Sequence, residues 1–420
     1  MSEDVPPVSL ADVESAHERI TDVVKRTPLD RSRTFAEASG AASVGLKLET
    51  FQRTGSFKIR GAYNCMARLS PEQRKRGVIA ASAGNHAQGV ALAGRLLDVP
   101  TTIVVPEITP AAKIAATRGY GAEVVVEGEI YERSYERALE LAERDDLAFV
   151  HPFDDEHVIA GQGTIGLELR EQYPELDTVL VPIGGGGLIS GIATALNEDV
   201  RVIGVQPTGA AHAAPSLEKG EIHELADVDT VADGIADTRL LETTFAVMRE
   251  RVDDVVSVND GEIAAAMALL AEREKVVVEA AGAASLAALL SGTLDVGDEH
   301  VGVVISGGNA DLTDHADLVR TGLIELGRYA TVRLAVDGLS KRVPSITNRL
   351  ADHGADLDDV RRGRRAGGDD PNRRTLELGL EGSSPDHLRD VIDALGDLDG
   401  VSVVDHDLRT DGPSGRPERT

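Results

Sequence analysis

The chain has 420 residues, room for two or three domains, and its 42% hydrophobic residues, 43 glycines and absent tryptophan suit an α/β protein rich in tight turns. A formal net charge of −28 disfavours nucleic acid and anionic membrane surfaces as partners, and no stretch has the apolar length of a membrane span. The single cysteine, Cys65, excludes an internal disulfide framework and reads as a buried thiol.

The N-terminus is acidic without an apolar core, so it does not read as a signal peptide, and a reducing cytoplasm fits best. Acid is dispersed along the chain, lysine is scarce and arginine carries most of the positive charge. That pattern suggests a high-salt cytoplasm, where self-repulsion is screened.

Residues 10–25 read as an amphipathic helix, broken by Arg26-Thr27-Pro28-Leu29. A strand over 45–49 leads to Thr54-Gly55-Ser56-Phe57-Lys58-Ile59-Arg60-Gly61-Ala62 and a helix over 59–69. Lys58 then sits in a first helical turn, where the positive end of the dipole disfavours its charged form. A neutral amine is what attack on a carbonyl requires. From this stretch alone, an ordinary surface lysine reads equally well.

Strand 77–82 runs into Ala83-Gly84-Asn85-His86-Ala87-Gln88-Gly89 and a helix to about 97. Strands at 101–105, 122–126 and 147–150 alternate with helices at 110–118, 131–144 and from 156. Alternation of this kind predicts a parallel, doubly wound sheet, with ligands at the C-terminal ends of the strands.

The buried strand 178–183 ends in Gly184-Gly185-Gly186-Gly187-Leu188 and enters a helix over 189–196. Strand, glycine loop and helix start together form an anion site. It is not a P-loop, and the dinucleotide spacing fails at Ile189 and Ser190, which favours a phosphate without a dinucleotide. A turn that merely lets helix and strand pack is the other reading. Strands follow at 200–205 and 301–305, the latter ending in Ser306-Gly307-Gly308-Asn309. Glu279 ends an apolar run at the start of a small-residue helix, as a carboxylate at a helix N-terminus can.

Beyond Arg328 the composition shifts. A strand 330–336, helix 340–352, acidic and arginine-rich strand-turn 356–365, strand 375–380, helix 385–395 and strand 401–404 give βαββαβ, the split βαβ pattern of a ferredoxin-like domain. Residues 410–420 read as a disordered tail.

Four separated motifs agree: Ser56–Ala62, Ser82–Gly89, Gly184–Leu188 and Ser306–Asn309. With them the chain resembles the fold-type II pyridoxal-phosphate enzymes, in the threonine/serine dehydratase branch, over about residues 10–325. The resemblance implies two-lobed parallel sheets of the tryptophan synthase β type over 1–328, with a small lobe at about 54–152 inserted in the large one. Residues 329–409 resemble an ACT domain, an amino-acid-sensing module.

The resemblance further implies pyridoxal 5′-phosphate as cofactor. Lys58 holds it and then removes the substrate α-proton. Gly184, Gly185, Gly186, Gly187 and Leu188 hold its phosphate, Asn85 its ring hydroxyl, and Phe57 packs beside the ring. Glu279 belongs with the cofactor-binding set, and Ser306 faces the pyridine nitrogen. Ser82, Gly84, Asn85 and His86 lie where the family binds the substrate carboxylate. His86 fits an orienting role better than a general base, since Lys58 already supplies one.

The implied reaction is β-elimination of L-threonine to 2-oxobutanoate and ammonia, with L-serine as a second substrate and the cofactor phosphate protonating the leaving hydroxyl. Serine at the pyridine nitrogen makes a weaker electron sink than aspartate, which favours elimination over transamination. Ala83 stands where racemases of this fold carry a catalytic serine, so serine racemisation is the disfavoured alternative, beside β-replacement and a catalytically dead amino-acid sensor. The turn Gln206-Pro207-Thr208-Gly209-Ala210-Ala211-His212 lacks the acidic ligands of the divalent site seen in some relatives, so no metal is expected. A homodimer or homotetramer is the expected assembly. Asp337-Gly338-Leu339-Ser340 departs from the usual ACT ligand turn, which leaves the effector open among isoleucine, valine and serine.

Overall fold

The computed structural model describes residues 6–196, 198–363 and 373–409. The expected tail at 410–420 and the end of the expected strand-turn, Arg364 and Arg365, lie outside the described residues.

In chain order the strands are β1 (Leu29–Arg31), β2 (Ser43–Leu48), β3 (Val78–Ala81), β4 (Thr101–Val105), β5 (Glu123–Val126), β6 (Ala148–Phe149) and β7 (Thr178–Pro182). There follow β8 (Arg201–Pro207), β9 (Asp254–Val258), β10 (His300–Ile305), β11 (Tyr329–Asp337), β12 (Asp356–Arg362), β13 (Arg373–Glu381) and β14 (Val401–His406). The first sheet runs β1-β2-β10-β7-β8-β9, parallel except for the antiparallel edge strand β1. A second, fully parallel sheet runs β5-β4-β3-β6. The chain thus leaves the first sheet after β2, builds the second, and returns at β7.

The central strands are continuous apolar runs because helices cover both of their faces. In β3 and β7 every residue is buried. One core packs β7 and its flanking helices around Val179, Val181, Ile189 and Ile192. Another gathers Ile59, Met66, Val78, Val90 and Ile103 between the second sheet and the helices Lys58–Ala67 and Asn85–Leu97. Cys65 lies in it, buried as expected, with its thiol pushed up by burial.

The structure differs from the sequence reading in several places. The first helix stops at Ile20 rather than 25. β1, β9 and the helices Arg33–Ser39, Pro71–Arg76, Ala213–Lys219 and Glu242–Arg251 were not anticipated. Most of these are short, or carry almost no apolar periodicity.

The chain divides into two compact units. One takes in the residues up to Ile263 with Leu270–Asp311, and so contains both parallel sheets. The other joins Ala264–Leu269 to the residues from Leu312 onward, so it begins before the expected Tyr329 and includes the helix Leu312–Glu325. Within it β11, the helix Leu339–His353, β12, β13, the helix Pro385–Gly396 and β14 follow in βαββαβ order. Its antiparallel sheet runs β12-β13-β11-β14. Val332, Leu334, Ile346, Leu378, Leu388 and Ile392 fill its core.

Candidate active site

Four strands of the first unit end on the four motifs. β2 leads to Lys58, β3 to Asn85, β7 to the glycine loop and β10 to Ser306. The C-terminal edge of two parallel sheets is where such a fold gathers ligand groups.

Lys58 is the first residue of its helix. The segment before it is fastened to the turn after β10. Phe57 N–H donates to the Ser306 carbonyl at 3.2 Å, and Gly308 N–H to the Gly55 carbonyl at 2.8 Å. Asn309 Nδ2 donates to the Thr54 carbonyl at 2.6 Å. The first and fourth motifs are therefore one structural unit, although some 250 residues separate them.

Lys58 Nζ donates to the Pro152 carbonyl at 2.9 Å and lies 5.2 Å from the centre of the Phe57 ring. Burial lowers its pKa from 10.5 to about 8, while Asp237 and then Glu279 pull the other way. Burial therefore favours the neutral amine.

Asn85 opens its helix behind Gly84. Its Nδ2 donates to Glu279 Oε1 at 2.7 Å, and its Oδ1 accepts from Asn309 Nδ2 at 2.7 Å. The second and fourth motifs and Glu279 thus share one hydrogen-bonded chain. Glu279 caps the helix Ala280–Leu290 by position only; its carboxylate serves Asn85 and not the helix amides. Burial raises its pKa from 4.5 to about 7, against the Asn85 bond. A Cβ on Gly307 would overlap Glu279 Oε1, so a side chain there would displace this carboxylate from Asn85.

His86 is buried, and its Nε2 lies 2.9 Å from the Val150 carbonyl. Burial, and then the charge of Lys58, lowers its pKa to about 3, so the ring is neutral and donates that proton to Val150. Nδ1, the remaining acceptor, has no partner among the described residues. Ser82 Oγ accepts from Gly84 N–H at 3.2 Å. A Cβ on Gly84 would meet nothing within 4 Å, so space opens in front of this helix start. The first N–H of the helix with a backbone acceptor is that of Gln88, which reaches Gly84 at 3.4 Å. The three before it are available to an anion.

The glycine loop follows β7, with Gly186 in the left-handed region at φ 89° as the cap of the helix Gly187–Ala195. Cβ atoms at Gly185 or Gly187 would collide with Phe153, at its ring in the first case and its backbone in the second. Leu188 is buried in the core, so only its N–H can serve the site. Phe57 packs against the same core.

The site also holds residues that the sequence reading passed over. Pro152 and Phe153 come from the loop after β6. Asn309 was quoted in a motif but given no role. Asp237 stands against the glycine loop, where a Cβ on Gly184 would lie 2.5 Å from its Oδ2. It comes from an irregular polar stretch with no periodicity or motif to mark it.

Residues 20–307 match the family model described as pyridoxal-phosphate dependent enzyme. Over 387 residues the chain is 43% identical to an L-threonine ammonia-lyase of Thermotoga maritima, covering 91% of this chain and 96% of that one. Among solved structures it is similar to the processed form of threonine deaminase isoform 2 from Solanum lycopersicum, at TM-score 0.71 and 39% identity, over 74% of this chain and 92% of that one. It is also similar to maize serine racemase, at TM-score 0.71 and 38% identity, over 74% and 96%.

Proposed function

We infer that this chain, which belongs to the pyridoxal-phosphate-dependent enzyme family, is an ammonia-lyase that converts L-threonine to 2-oxobutanoate and ammonia. The observation that carries the reading is the convergence of Lys58, Asn85, the glycine loop and Ser306 on one edge of the two parallel sheets.

The residues present fit pyridoxal 5′-phosphate. The glycine loop presents bare backbone, since side chains there would collide with Phe153, and the Gly187, Leu188 and Ile189 amides open a helix with no preceding turn to bond. Ser56 Oγ, buried two residues before Lys58, has no partner among the described residues. In this reading Gly184–Leu188 hold the phosphate and Asn85, set by Glu279 and Asn309, meets the ring hydroxyl. Phe57 lies beside the ring, and Ser306 faces the pyridine nitrogen. Bound, the cofactor supplies the electron sink that makes an amino acid's α-proton removable.

The chain's own groups do the rest. Neutral Lys58 takes the α-proton. Ser82, Gly84, Asn85 and the open amides of that helix start hold the substrate carboxylate. His86, its Nε2 proton committed to Val150, orients and does not titrate. L-Serine is a second substrate, since one methyl group is worth only about 1–3 kcal/mol of discrimination. Ala83 offers no hydroxyl for a base on the opposite face, which sets racemisation behind elimination.

The test is 2-oxobutanoate formation from L-threonine by purified protein with added pyridoxal phosphate. Lys58→Ala should abolish both turnover and the visible absorbance of linked cofactor. A variant that keeps either one sinks the reading.

We also propose that the C-terminal βαββαβ unit is an ACT-like sensor. Isoleucine, chemically downstream of 2-oxobutanoate, is the favoured effector, and 337–344 is its binding segment. A cytoplasmic homodimer or homotetramer completes the proposal. Among the described residues no helix is long and apolar enough to cross a membrane.

A further inference from the structure

The amides of a glycine loop and helix start attract any anion within reach, and the chain itself supplies one. A Cβ on Gly184 would lie 2.5 Å from Asp237 Oδ2, so this carboxyl rests on the first glycine of the loop. The other side chains nearest the loop, Ile235, Phe153, Leu240, Met248 and Thr244, carry no charge.

The main chain on either side of Asp237 is held. Ile235 is buried, and its Cα would lie 3.1 Å from that same Cβ on Gly184. The Thr238 carbonyl accepts from Leu225 N–H at 3.0 Å. With its backbone fastened on both sides, the carboxyl leaves the loop by turning its own side chain.

Lys58 acts on Asp237 as a charge, but the Lys58 amine donates to the Pro152 carbonyl at 2.9 Å. By contact, then, the carboxyl belongs to the loop. Burial pushes its pKa up, while Lys58 and then the Gly185 N–H pull it back towards the ionised form. Tyr131 also feels its charge.

Resting on the reading of Gly184–Leu188 as the holder of the cofactor phosphate, we propose that Asp237 is a built-in competitor at that loop, an anion that must turn away before the phosphate is held. Two anions on one short stretch of backbone repel, and the more so where little water screens them. Asp237 thus sets how tightly the chain retains its cofactor, and it does so through the phosphate end and not through the aldehyde end at Lys58.

The test separates those two ends. The full-length chain, stripped of cofactor, is titrated by visible absorbance with pyridoxal phosphate and separately with pyridoxal, which brings the same aldehyde without the phosphate. Asp237→Asn should lower the apparent Kd for pyridoxal phosphate by about 10-fold or more and leave that for pyridoxal within about twofold. Asp237→Glu, which keeps the charge, should stay within about threefold of the wild type for both. If Asp237→Asn does not fold, Asp237→Ser is measured the same way. An affinity for pyridoxal phosphate that is unchanged or weaker in the neutral variant overturns the proposal. Equal tightening for both aldehydes also overturns it, because the effect then lies at the Lys58 amine. A wild-type chain that gains a visible band with neither aldehyde overturns the cofactor reading of the site instead.

Discussion

Lys58 works as a free amine, and the groups around it set the pH at which that amine exists. Burial brings its pKa to about 8 against Asp237 and Glu279. Protein stripped of cofactor should therefore capture added pyridoxal phosphate faster as pH rises through about 8, followed by visible absorbance. Glu279→Gln removes one of the two anions that favour the ammonium form, so the midpoint should move to lower pH. A midpoint that stays or rises contradicts this electrostatic account. The sign for stability is the opposite of a salt-bridged lysine's. The folded-state pKa lies below the unfolded one, so burying charged Lys58 costs stability below about pH 8, and the cost fades as pH climbs towards 10.5.

The start of the Lys58 helix is held by a buried ionic cluster. Arg60 bonds Glu49 through Nε and Nη2, and Glu168 through Nη1 and Nη2, at 2.6–3.1 Å. Lys47 Nζ joins Glu168 at 2.5 Å and the Thr27 carbonyl at 2.8 Å. The cluster links β2, the turn after it, the Lys58 helix and the helix Glu156–Gln172. All four side chains are buried, so removing one leaves opposite charges unpaired in the interior. Arg60→Ala should cost about 3–5 kcal/mol in urea unfolding, and a loss below about 1 kcal/mol contradicts the role. A second close approach sets the helix pair. A Cβ on Gly89 would lie 3.0 Å from the Lys58 carbonyl carbon, so a larger residue there would push the Asn85 helix away from Lys58.

For the whole molecule the dominant electrostatic fact is the net charge of −28. Exposed pairs such as Arg133–Glu136 and Arg389–Asp386 contribute little each, so salt screening remains the chief relief from self-repulsion. The proposed regulation also belongs at this scale, because an effector must bind one conformational state better than another. Gly338 opens the helix Leu339–His353 at φ 64°, a conformation a β-branched residue resists. Gly338→Val should weaken inhibition by isoleucine by about 5-fold or more while threonine turnover without isoleucine is kept. Identical isoleucine titrations of the two proteins would refute the sensor proposal and leave the unit a structural role.

The sequence by itself determined the alternation of strands and helices, the glycine loop after β7, the lysine at a helix start and the βαββαβ order of the C-terminal unit. Each is a local signal, carried by hydrophobic period, by glycine runs or by turn residues within a few positions. Its four motifs also marked Asn85 and Ser306, through resemblance, while Glu279 stood out as the acid that ends an apolar run at a helix start. Only the tertiary structure decided what those residues touch. The Asn309–Asn85–Glu279 chain spans 194 and 224 residues of sequence, and the Lys47–Glu168 pair spans 121. The low pKa of Lys58 likewise comes first from burial, which local sequence does not encode. Asp237 was illegible for the same reason: nothing in an irregular acidic stretch distinguishes it until folding sets its carboxyl against Gly184.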